Sequence, residues 1–94
     1  MEHQQTFTLI EGEFLPKESR EILFSIYKSK MRFHRMKNFS SQERFGREDE
    51  SALKRIAQLK ETLEAISKVI DSAEKEGKIL EIRSQISLHL IDEN

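Results

Sequence analysis

Seven apolar residues, Ala52, Ile56, Leu59, Leu63, Ile66, Ile70 and Ala73, follow one another at spacings of 4, 3, 4, 3, 4 and 3. An α-helix advances about 3.6 residues per turn, so this series lies on one stripe and demands a second helix or subunit to cover it. The predicted helix spans about residues 50–76. Glu48, Asp49 and Glu50 sit at its start, where the helix dipole favours anions, and Lys75, Gly77 and Lys78 mark its end. A rod of this length is roughly 40 Å. A chain of 94 residues and 11.1 kDa does not hide such a rod on all sides.

The nearest partner for the stripe is the segment before it. Pro16 suits the first turn of a helix, and Ile22, Leu23, Ile26, Tyr27, Phe33 and His34 then fall on one stripe of a helix running to about Lys37. In register with the seam, Ile22, Ile26, Ser29, Phe33 and Met36 repeat at 4, 3, 4 and 3, with Phe24 and Met31 roughly opposite. Between the two helices, residues 38–49 lose the period. Ser40 and Glu43 have capping-box spacing, Gly46 is a stop signal, and Phe39 and Phe45 flank the turn. These two rings are expected to pack on the tip; left exposed, they mark a partner-binding patch.

The flanking segments change period. Residues 6–14 are rich in β-branched and aromatic residues, with Phe7 and Leu9 on one face and Ile10, Gly12 and Phe14 on the other. Gly12 suggests a bulge or a close approach. Residues 79–91 alternate more cleanly, with Leu80, Ile82, Ile86, Leu88 and Leu90 on one face. The expectation is one α+β domain over residues 1–94 in the order β-α-α-β. An antiparallel, coiled-coil-like helical hairpin carries a two-stranded antiparallel sheet at its base. Two strands alone are marginal in water, so a homodimer or larger homo-oligomer is expected to extend the sheet or share the seam of Ile56, Leu59, Leu63, Ile66 and Ile70.

Charge supplies one further feature. The net charge is only −1, yet Lys28, Lys30, Arg32, Arg35 and Lys37 place five cations in ten residues with no acid among them. Lys28, Arg32 and Arg35 share one helix face, a spacing suited to a run of phosphates in a nucleic acid or another anionic ligand. The competing reading is internal: in an antiparallel hairpin this block lies beside Glu48, Asp49 and Glu50, and Lys30 and Lys37 could reach towards those acids. A pI near 6.3 favours the internal reading.

Catalytic chemistry finds little footing. His3, His34 and His89 have no zinc-motif spacing, and no nucleophile elbow, P-loop or dinucleotide fingerprint is present. Glu11 and Glu13 share a strand face and could approach Glu81 or His89, but alternating charges on a strand are usually its solvated side. No cofactor or metal is expected. Absence of cysteine fits a reducing compartment, and no apolar run approaches the roughly 20 residues of a membrane span. The sequence therefore reads as a non-enzymatic, cytoplasmic, self-associating or protein-binding chain, with polyanion binding as the alternative.

Overall fold

The computed structural model describes residues 4–93. Strand β1 (Gln4–Phe14) leads into helix α1 (Pro16–Phe45), helix α2 (Glu50–Lys75) returns antiparallel to it, and strand β2 (Leu80–His89) pairs antiparallel with β1. The architecture is α+β in β-α-α-β order, with the helices packed on each other.

Local chemistry explains where each helix starts and stops. Pro16 opens α1, the Glu18 carboxylate accepts the Leu15 N–H at 2.9 Å, and the buried Ser19 hydroxyl donates to the Leu15 carbonyl. Asp49 caps α2 by accepting the Ala52 N–H at 3.0 Å. At the far end of α2, Gly77 takes φ +65°, and Lys78 donates its N–H to the Ala73 carbonyl at 2.8 Å. That left-handed closure ties off the last carbonyls and turns the chain towards β2.

Helix α1 continues well past the expected end at Lys37 and stops only at Phe45, where Gly46 adopts φ +67°. The apolar period fails at residue 38 because the inward stripe turns polar, not because the helix ends. Asn38 and Ser41 face the connection: the Asn38 side chain accepts the Asp49 N–H at 2.6 Å and donates to Glu48 at 3.0 Å. Ser41 donates to the Arg47 carbonyl, and Gln42 donates to Glu48. Four side-chain bonds thus clasp a short turn.

On α2, Ala52, Leu59 and Ile70 are buried and Ile56, Leu63, Ile66 and Ala73 half-buried. The facing row of α1 differs from the expected register. Met31 is the buried residue there, with Leu23, Tyr27 and His34 half-buried, whereas Phe33 and Met36 are exposed. The 4-3 spacing of Ile22, Ile26, Ser29, Phe33 and Met36 marks a second face of α1, turned more than a third of the circumference from the hairpin seam. Near the base, Arg20 donates to Asp71 at 2.7 Å and to Ser67 at 3.3 Å, and lies over the Phe24 ring.

The strand pairing contains one irregularity. Thr8 lies opposite Gln85 and Ile10 opposite Ser84, so Leu9 is an extra residue in β1. The bulge falls there and not at Gly12, whose space is filled by the Phe14 ring, 3.3 Å from where a Cβ would stand. One inserted residue reverses the alternation of everything beyond it. Phe7 therefore lies opposite Ile86 and joins the face of Ile10, Gly12 and Phe14, contrary to simple alternation.

The molecule measures 50 × 39 × 15 Å. The 30 residues of α1 span about 45 Å, and two packed helices lie only 8–10 Å apart, so the second dimension comes from a ribbon about 35 Å long that projects from the hairpin. Burial follows the same line: Ile10, Gly12, Phe14, Leu80, Ile82 and Ser84 are half-buried, while residues 4–9 and 85–89 are exposed.

Replacement of fully buried Ile70 by Ala is expected to cost about 2–5 kcal/mol in urea denaturation. Gly46→Ala meets no neighbour within 4 Å and carries only left-handed backbone strain, about 1–2 kcal/mol. Equal losses would contradict this division between core and cap.

Candidate functional site

Two surfaces on this frame carry more than a solvated exterior requires. The first is the outer half of the ribbon. Its apolar face presents Phe7, Ile86 and Leu88, with Gln5 opposite Leu88, and Leu88 is 56% exposed. The opposite face carries Thr6, Thr8, Gln85, Ser87 and His89. No Asp, Glu, Lys or Arg occurs in residues 4–10 or 84–91, although such residues make up 35% of the chain. Exposed strand edges usually carry charge, above all Lys, which discourages pairing with other strands. The inner half of the same ribbon has that charge: Glu11 lies opposite Arg83 and Glu13 opposite Glu81, and Arg83 donates to Glu81 at 3.1 Å. The contrast was legible as two uncharged runs near the ends of the chain, a signal that counting apolar alternation overlooks.

The bulge connects this arm to the helices. Leu9, Ile10, Ile82 and Ser84 meet Leu23, Ile26, Tyr27 and Leu59 across a crevice where the ribbon leaves the hairpin. Apolar residues of the same ribbon face therefore already cover Ile26 within the molecule. Further along the same side of α1, Phe33 is 63% exposed and edge-on to His34, with Met36 exposed beside it.

The second surface is the outer side of α1. Lys28, Arg32 and Arg35 are exposed on it; Lys30 and Lys37 are also exposed but line the side towards the ribbon and α2. Among the described residues the ion pairs are Arg20–Asp71, Lys78–Glu76 and Arg83–Glu81, none of them from this block. Glu48 is engaged by Asn38 and Gln42, and Asp49 by the start of α2, so the acids near the tip are used for clasping and capping. Lys28 instead lies over the Phe24 ring, 5.9 Å from its centre. Among the described residues no cation of the block forms an ion pair with Glu48, Asp49 or Glu50.

At the tip, Phe39 and Phe45 do not pack on the hairpin. Phe45 is 67% exposed beside a shallow depression formed with Ser41, Arg47, Glu48, Asp49 and Glu50. Helix α1 continues through Phe39, which is exposed. The carboxylates considered for catalysis separate along the ribbon: Glu13 faces Glu81 at the base, whereas His89 faces Gln4 at the free end. His3 lies outside the described residues. Among the described residues no group of three or more His, Asp or Glu is placed to hold a metal, and no helix is long and apolar enough to cross a membrane.

Comparison of the chain with protein-family models, with curated proteins and with solved structures gives no significant match.

Proposed function

We propose that this chain is a self-assembling interaction module whose working form is a homo-oligomer. The observation that carries the reading is surface. The chain exposes 7973 Å², against about 5,700 Å² for a compact monomer of 11.1 kDa. The difference, roughly 2,300 Å², lies near the upper end of what one partner contributes to an obligate interface, about half of a total of 2,000–5,000 Å². The radius of gyration, 17.1 Å, likewise exceeds the 12 Å or so of a compact chain of this length. Excess area alone would describe any elongated solvated rod. Here it includes the uncharged ribbon end with Phe7, Ile86 and Leu88, and the helix row of Phe33 and Met36. Burying these groups in an assembly, at about 25 cal/mol per Å² of apolar area, offsets the ordering of a thin core. The tip phenyl rings of Phe39 and Phe45 are then free to meet a further protein. The lack of cysteine supports a reducing, cytoplasmic setting. Light scattering of the wild type at micromolar concentration is expected to give at least twice 11.1 kDa; a mass of 11.1 kDa would contradict the reading.

One observation supports a second reading, polyanion binding by α1. Among the described residues its five cations are in no ion pair, and three of them, Lys28, Arg32 and Arg35, lie along one side. Guanidinium groups on a rod can follow a phosphate backbone, releasing counterions as they bind. Retention of the wild type on heparin should then fall steeply between low and moderate salt. Arg32→Gln with Arg35→Gln should remove it while shifting stability by no more than about 0.5 kcal/mol per site. Absence of wild-type retention ends this reading.

A further inference from the structure

The ribbon has two free edges, one on each strand, and they are not equivalent. The edge of β1 is interrupted by the Leu9 bulge. Bulges break the regular ladder of N–H and C=O groups and twist a strand away from neighbours, a common protection of edges. Strand β2 has no such device. It contains no Gly and no Pro, and its pairing partners advance without a shift from Leu80 to Ser84 and from Gln85 to His89. Beyond Arg83 it carries no charged side chain until Asp92. A regular, exposed and uncharged strand edge is a template for another strand.

We infer that the free edge of β2 is where a second copy of this chain binds, through antiparallel β2–β2 pairing about a two-fold axis at Ser87. This rests on the self-assembly reading and names its surface. A two-fold axis at Ser87 keeps the pairing within the uncharged stretch Ser84–Ile91, setting Ser84–Leu90 against itself. Directly opposed residues in an antiparallel pair share a face. This register sets Ile86 opposite Leu88 of the second copy and Leu88 opposite Ile86 of the second copy. A one-residue slip would oppose apolar and polar faces and is disfavoured. The axis stands perpendicular to the sheet, so both apolar faces and both helical hairpins lie on one side.

The result is a four-stranded sheet in the order β1-β2-β2-β1, closed on the regular edges and ending on the bulged ones. Phe7, Ile86 and Leu88 of both copies then form one continuous apolar layer between the two hairpins. Each arm, overhanging its own helices, reaches towards those of the other copy, where Phe33 and Met36 lack a cover. Both unmet surfaces of the monomer come together in one symmetric contact.

Ser87 lies on the polar face of the ribbon and is exposed, so substitutions there leave the monomer core untouched. Ser87→Lys and Ser87→Glu each place like charges across the axis. Each variant alone is expected to fall to about half the wild-type mass in light scattering, and an equimolar mixture to recover it. The chain has no cysteine, so Ser87→Cys provides a unique probe: mild oxidation should yield a covalent dimer. Thr8→Cys on β1 should not, because Thr8 lies opposite Gln85, off the axis, and its counterparts would stand roughly 20 Å apart. Full mass in both charged variants, or no cross-link at Ser87, with a wild type that still assembles, overturns the β2 edge and leaves self-assembly standing. A monomeric wild type overturns both.

Discussion

Everything in this fold follows from how little apolar surface it can enclose. One seam, between α1 and α2, supplies the continuous interior, and the fully enclosed apolar side chains along it are Met31, Ala52, Leu59 and Ile70. Their scarcity explains the reliance on polar fastenings at both ends of the hairpin. At the base, Arg20 ties α1 to Asp71 and Ser67; at the tip, Asn38, Ser41 and Gln42 hold the turn. Isolated exposed pairs of this kind contribute little singly. They fix the register of the helices, and the seam supplies the stability.

The ribbon shows what a narrow hairpin does to the elements attached to it. Two helices offer a strip of surface that covers the inner ribbon as far as Ile10 and Ser84, and the strands are longer than the strip is wide. At that boundary the Leu9 bulge rephases β1. Without it, Phe7 would face away from Ile86; with it, the arm keeps one apolar face to its end. The bulge preserves amphipathicity beyond the reach of the molecule's own core. It is expected where a second surface completes the layer.

Much of this plan was legible in the sequence, for stated physical reasons. The α2 stripe, the alternation of β2, Pro16 at the start of α1 and Gly77 after α2 led to the β-α-α-β hairpin. What escaped were features set by pairing rather than by local period. The end of α1 was misplaced because Asn38 and Ser41 point inwards on a helix, where polar residues ordinarily suggest a loop. Leu23, Tyr27 and His34 lie on the expected stripe of α1, but the 4-3 row drawn through Phe33 and Met36 follows its more apolar side, whereas the helix buries Met31 from the side read as opposite. Strand alternation cannot foresee an extra residue, so Phe7 was assigned to the wrong face. The basic block was legible as a block, but whether carboxylates neutralise it depends on side chains that the tip clasp and the α2 cap already engage.

The account's central claim is that a single chain leaves apolar surface that only assembly covers. Its most direct test is the thermal unfolding midpoint of the wild type measured across a hundredfold range of protein concentration. If folding is coupled to association, the midpoint rises steadily with concentration, since mass action favours the assembled state. A midpoint that does not move over that range would mean the lone hairpin and its ribbon are stable as they stand, contradicting the claim.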